Sequence, residues 1–217
     1  DYKNNGWGYG IFSDGIETGD INNDGYPEIL VPTDMGFMAA YTKDGKLIKA
    51  NSELYGGRTW AKIPFYENQF AELRMDNEGW GMPIEGDEKR EELYRAELGH
   101  AGTAIKDVDG DGNNEIIVSA IMANRKYKVF PPTEYMTIFI LNGDRSRYYN
   151  KELGFDWRKI PTDLGEPLVQ NEETVSSMVE ADPVVIDLDN DGYSEILFPS
   201  YNGKLHCFSL DGTEHEA

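Results

Sequence analysis

Three times along this chain an Asp-x-Asp/Asn-x-Asp-Gly-x-x-Glu loop runs directly into a short apolar segment, and that repetition limits the folds open to it. The copies are Asp20-Ile21-Asn22-Asn23-Asp24-Gly25-Tyr26-Pro27-Glu28, Asp107-Val108-Asp109-Gly110-Asp111-Gly112-Asn113-Asn114-Glu115 and Asp187-Leu188-Asp189-Asn190-Asp191-Gly192-Tyr193-Ser194-Glu195. Oxygen donors at positions 1, 3 and 5 with a glycine turn at position 6 suit a hard cation such as Ca²⁺. Position 7 (Tyr26, Asn113, Tyr193) would add a backbone carbonyl, and position 9 (Glu28, Glu115, Glu195) a closing carboxylate. Three Ca²⁺ sites are expected.

The residues after each loop decide its type. An EF-hand places a bidentate Glu at position 12 and continues as a helix. Here position 12 is Val31, Val118 or Phe198. The loops run instead into Glu28-Ile29-Leu30-Val31-Pro32, Glu115-Ile116-Ile117-Val118-Ser119 and Glu195-Ile196-Leu197-Phe198-Pro199, apolar runs of strand length. A strand, not a helix, leaves each loop.

Turn signals complete the unit. In the third copy Val184–Ile186, Ile196–Phe198 and Leu205–Phe208 read as strands, with turns at Tyr201-Asn202-Gly203 and Asp211-Gly212. The first copy has the same order, with Phe37–Tyr41 as its third strand and Lys43-Asp44-Gly45-Lys46 as the turn. Asp-Gly and Asn-Gly between apolar runs are strong hairpin signals. The period, from Asp20 to Asp107 to Asp187, indicates repetition of one supersecondary unit. A stripe at helical spacing over residues 85–98 is the one competing signal.

The loop, the strand and the later hairpin turn together resemble the FG-GAP/VCBS repeat of integrin-α-like calcium-binding β-propellers. The resemblance covers about residues 15–50, 100–145 and 181–214. It implies an all-β fold of β-propeller-type, four-stranded antiparallel blades with Ca²⁺ in hairpin loops. Propellers close with four to eight blades, so residues 1–217 are expected to form one propeller-type domain or a fragment of a larger propeller. The blade itself does not specify an activity.

Composition agrees with a calcium-loaded extracellular or cell-surface protein. Forty acidic against twenty basic residues give a formal charge of −20. That sign opposes nucleic acid, which requires Lys and Arg at phosphates, and anionic membrane surfaces. No apolar run is long enough to span a bilayer. The single Cys207 forms no internal disulfide and is expected as a small buried residue on its strand. Bound metal is the expected substitute for cross-links.

Two segments, about residues 51–99 and 148–180, read as insertions between blades. The first is rich in aromatics, among them Tyr55, Trp60, Phe65, Phe70 and Trp80. Aromatic faces beside carboxylates and amides are common at sugar sites, which makes Trp60 and Trp80 the candidate ligand-binding residues. No catalytic residue is assigned: His100, His206 and His215 lack metal-ligand spacing, and no nucleophile motif occurs. The expected role is a binding or adhesion module for carbohydrate or an extracellular protein. The alternatives are a self-assembling structural subunit of a surface layer or filament, and a calcium-dependent lyase of the rhamnogalacturonan type.

Overall fold

The computed structural model describes residues 15–33, 36–65, 95–98, 102–124, 133–158, 169–170, 181–199 and 204–215. Within these, each acidic loop is the bend of a hairpin. In the first unit β1 (Glu17–Gly19) pairs with β2 (Glu28–Pro32), which pairs with β3 (Met38–Tyr41). A strand β4 (Arg95–Glu97) precedes the second unit, made of β5 (Thr103–Lys106), β6 (Glu115–Asn124) and β7 (Thr133–Leu141). A short hairpin, β8 (Tyr149–Asn150) with β9 (Phe155–Asp156), and then β10 (Val169–Gln170) follow. The third unit is β11 (Val184–Ile186), β12 (Glu195–Pro199) and β13 (Leu205–Phe208). Among the described residues all pairings are antiparallel, and the fold is all-β with one short helix, α1 (Ser52–Tyr55), and a single 3₁₀ turn (Trp60–Lys62).

The units correspond residue for residue beyond their third strands. Thr42, Asn142 and Ser209 each donate a backbone N–H to the carbonyl four residues on, at 2.9, 2.9 and 3.0 Å. Each turn then returns through one bridge, Tyr41↔Leu47, Leu141↔Arg147 or Phe208↔Glu214. The expected four-stranded blades are therefore three strands plus a single-bridge fourth segment in the first and third units. The middle unit widens to five strands, because β4 and β10 pair with β6 and β7. No sheet closes on itself among the described residues.

The fourth segment stays short because the chain pairs onward with itself. After Leu47, Lys49 bridges Thr59 and the Trp60 N–H donates to the Ile48 carbonyl at 3.1 Å. After Arg147, β8 pairs with β9 and the Trp157 N–H donates to the Tyr148 carbonyl at 3.0 Å. Each arm carries near its start an Asn whose Oδ1 accepts two N–H groups in the following turn. Asn51 takes those of Glu53 and Leu54, and Asn150 those of Glu152 and Leu153. Such a cap satisfies donors that a tight turn leaves without partners. The expected insertions thus begin with arms that belong to the repeat.

Strand alternation sorts the core into two layers. Ile116, Val118, Phe139 and Leu141 share one face of the middle sheet and pack with Leu30, Met38, Ala40, Trp60 and Phe65. Ile117, Ile138 and Ile140, on the opposite face, pack with Ile196, Phe198, Phe208 and Trp157. The middle sheet is sandwiched between the other two units. The other face of the third unit, with Val184, Ile186 and Leu205 at 56, 45 and 58 % exposure, has no such cover among the described residues.

The helical stripe suggested over residues 85–98 is not borne out where it is described: Arg95–Glu97 is a strand bonded to β6. Extended geometry there is fixed by long-range pairing with Ile121–Ala123, which local periodicity does not register. No helix among the described residues is long and apolar enough to cross a membrane.

Candidate metal centres

The three loops have one hydrogen-bond plan. The position-1 aspartate Oδ2 accepts the position-6 glycine N–H, at 2.9 Å for Asp20–Gly25, 2.9 Å for Asp107–Gly112 and 3.1 Å for Asp187–Gly192. Position 3 (Asn22, Asp109, Asp189) accepts the N–H of position 5, and position 5 (Asp24, Asp111, Asp191) accepts the N–H of position 7 (Tyr26, Asn113, Tyr193). The turns need left-handed backbone at Gly25, Gly112 and Gly192, with φ of 84, 90 and 97°. Only glycine takes that conformation without a Cβ penalty.

Position 9 closes each loop from below. Glu28, Glu115 and Glu195 are buried, at 1, 3 and 5 % exposure. Their Oε2 atoms accept the position-2 N–H of Ile21, Val108 and Leu188, at 3.1, 3.1 and 2.8 Å. Each glutamate starts the second strand of its unit, so the sheet fixes its direction.

Oxygen atoms from Asp107, Asp109 and Glu115 lie within 4.8 Å of one another, as do those from Asp187, Asp189 and Glu195. In the first loop Asn22 replaces one carboxylate. The position-5 aspartates fall outside these groups; both oxygens of Asp111 take the Asn113 side-chain amide at 2.9 Å. Burial pushes the Glu115 carboxyl up to about 8; the Val108 N–H opposes this, and the charges of Asp109, Asp111 and Asp107 add to it. Glu28 is raised chiefly by burial too, with Asp24 and Asp20 contributing. A buried carboxylate held among like charges needs a proton or a cation. A donor set made only of oxygen fits a hard divalent ion.

The loops also touch one another in a row. The Asn114 side chain donates to the Asp20 carbonyl at 2.8 Å, and the Ser194 N–H donates to the Val108 carbonyl at 2.8 Å. Asn23 and Asn113 are joined through their side-chain amides. Position 8 of one loop thereby reaches positions 1 or 2 of the loop before it. Gly143 lies so close to the first loop that a Cβ there would stand 1.6 Å from the Ile21 carbonyl oxygen.

Two groups outside the motif bind the second loop. The Tyr148 hydroxyl donates to Asp109 Oδ2 at 2.7 Å, and Asn150 Nδ2 donates to the same oxygen at 2.9 Å. The sequence reading missed both. A signal was available in the echo between Asn51-Ser52-Glu53-Leu54…Trp60-Ala61-Lys62-Ile63-Pro64 and Asn150-Lys151-Glu152-Leu153…Trp157-Arg158-Lys159-Ile160-Pro161.

That echo also corrects the expectation for Trp60. Its side chain is wholly buried in the core between the first two units, so it has no open face for a sugar. The Arg145 guanidinium sits 5.8 Å from its ring and 3.8 Å from that of Phe65. Trp80 lies outside the described residues. Of the histidines, His206 pairs through Nδ1 with Glu214 at 2.6 Å and stacks with Phe198 and Phe208 inside the third unit. Cys207 is half-buried on that unit's uncovered face, where burial raises its thiol pKa, with Glu195 adding to the rise.

Comparison of the chain with protein-family models, with curated proteins and with solved structures finds no match in any of the three.

Proposed function

We propose that this chain is a calcium-binding repeat module of the FG-GAP/VCBS type, whose three loops each hold one Ca²⁺ and lock consecutive blades together. The observation that carries the reading is the buried glutamate closing each of three equivalent acidic loops. Asp107, Asp109, Asp111 and Glu115 would supply oxygen ligands in the second site, with the Asn113 carbonyl. Asp187, Asp189, Asp191, Glu195 and the Tyr193 carbonyl would do so in the third. Asp20, Asn22, Asp24, Glu28 and the Tyr26 carbonyl form the first. The ion would neutralise carboxylates that otherwise repel across the row of loops.

On this reading the module works outside the cell, where calcium is abundant enough to fill such loops, as a rigid scaffold for binding or adhesion. The partner class is carbohydrate or an extracellular protein. Trp60 takes no part in that contact. The test is a binding screen against polysaccharides in calcium and in EDTA, with soluble products assayed in the same samples. Retention that needs calcium and yields no products supports a binding module; unsaturated uronide products would make it a lyase.

The uncovered face of the third unit favours a second, structural reading. Val184, Leu197 and Cys207 lie side by side across that sheet, as Leu30 and Ala40 do in the first, where the next unit covers them. A further blade is the natural cover for such a face, and this is the propeller arrangement proposed for the chain. Light scattering in calcium across a concentration series tests whether copies of this chain supply that blade. A mass that stays monomeric would oppose self-assembly.

A further inference from the structure

The arm running from Tyr148 to Trp157 touches more of the molecule than its length suggests. At its start, Tyr148 and Asn150 both donate to Asp109 Oδ2 in the second loop. On its return strand, the Phe155 ring meets Tyr193 of the third loop edge-on, with centroids 5.4 Å apart. At its end, the buried Trp157 donates its indole N–H to the Leu210 carbonyl at 2.6 Å, in the last turn of the third unit. One short hairpin therefore joins the second acidic loop to two points of the third unit.

We propose that Tyr148 and Asn150 are positioning residues of the second calcium site, and that through them calcium in that loop fixes the arm against the third unit. The inference rests on the calcium reading of the loops and deepens it. A metal-ligating carboxylate is aimed by the hydrogen bonds on its other oxygen, and losing such partners commonly costs about 10–100-fold in affinity. Two donors hold Oδ2 of Asp109, which turns Oδ1, carrying only the Asp111 N–H at 3.2 Å, toward the ion. The equivalent arm of the first unit is built differently: the residue matching Tyr148 is Ile48, and Asn51 donates to Asp144 Oδ2 in the next unit at 2.7 Å. Of the two arms among the described residues, only the second carries this device.

Reciprocity follows from linkage: if the docked arm favours calcium, calcium favours the docked arm by the same factor. Tyr148 is buried, and Tyr148→Phe keeps its ring while removing only the donor. Calorimetric calcium titration of wild type, Tyr148→Phe and Asn150→Ala is the experiment. Expected is a loss of about 10–100-fold at one of three sites, with the other two unchanged. Hydrogen exchange in the same samples reads the arm: in wild type, calcium should slow exchange at the Trp157 amide. Asp111→Asn, which weakens the second site without touching Tyr148, should abolish that slowing. Three unchanged affinities, or slowing that survives Asp111→Asn, overturns the inference while leaving the calcium sites standing. A wild-type protein that takes up no calcium overturns the reading beneath it as well. A purely packing role would lower stability equally with and without calcium and leave every affinity in place.

Discussion

Trp60 and Trp157 occupy the same place in successive units: each donates its backbone N–H to the carbonyl of the residue that opens its arm, Ile48 or Tyr148. Each ring is then buried against the following unit, Trp60 beside Arg145 and Trp157 on the Leu210 carbonyl. Trp60, expected as a ligand-binding residue, is instead a pin between the first two units, and Trp157 is its counterpart between the second and third.

Replacing either tryptophan should therefore cost stability before it costs anything else. Trp60→Ala and Trp157→Ala each remove a fully buried aromatic, a change worth about 3–5 kcal/mol. Chemical denaturation monitored by circular dichroism should show midpoints lowered accordingly. A Trp60→Ala protein of unchanged stability with lost carbohydrate binding would contradict the placement of this residue.

The contact between the first two units depends on a missing side chain. A Cβ at position 143 would collide with the Ile21 carbonyl, so Gly143→Ala must push the first loop away from the second unit. Overpacking of this kind costs about 1–3 kcal/mol, and backbone on both sides makes relief harder. The thermal midpoint should fall, and a midpoint within error of wild type would mean that the first loop and the turn at Gly143 do not touch.

The three loops should not fill alike. The first carries three acidic residues and Asn22, whereas the second and third carry four each. Ligand charge is one determinant of calcium affinity, so stepwise chelation should empty the first loop first. The amide resonances of Gly25, Gly112 and Gly192 report each loop separately, since each donates to the first aspartate of its loop. Asn22→Asp should bring the first loop closer to the others; loss of calcium from the third loop before the first would contradict this ordering.

Asp111 separates the metal from the polypeptide. On the calcium reading Asp111 is the position-5 ligand, so Asp111→Asn should lower the melting temperature in calcium and leave the EDTA-treated protein nearly unchanged. Equal losses in both conditions would assign Asp111 a role in the fold itself, through the Asn113 hydrogen bonds.

The loops and their strands were legible because local chemistry dictates them. Glycine at position 6 and the apolar runs after Glu28, Glu115 and Glu195 leave few alternatives, and Val184–Ile186 and Leu205–Phe208 are strands as read. The arms were only partly legible: Asn-x-Glu-Leu and Trp-x-Lys-Ile-Pro recur in both, but the spacing from Leu54 to Trp60 differs from that between Leu153 and Trp157 and masks the repeat. Arg145 illustrates a further limit. It takes the left-handed conformation, φ 73°, that Gly45 and Gly212 take in the equivalent turns, yet it is buried over Phe65. A turn that ordinarily favours glycine holds a long cation there because the first unit's arm supplies an aromatic bed for it.

The central claim is that three calcium ions hold these blades together. The most direct measurement is the number of calcium ions bound per chain, taken with the melting temperature in calcium and after chelation. Three ions, with a midpoint that falls on chelation and recovers on adding calcium back, is the predicted result. At one hundred times the dissociation constant, each independent site adds about 2.7 kcal/mol, so the fall should be large. No bound calcium, or bound calcium with an unmoved midpoint, would contradict the account.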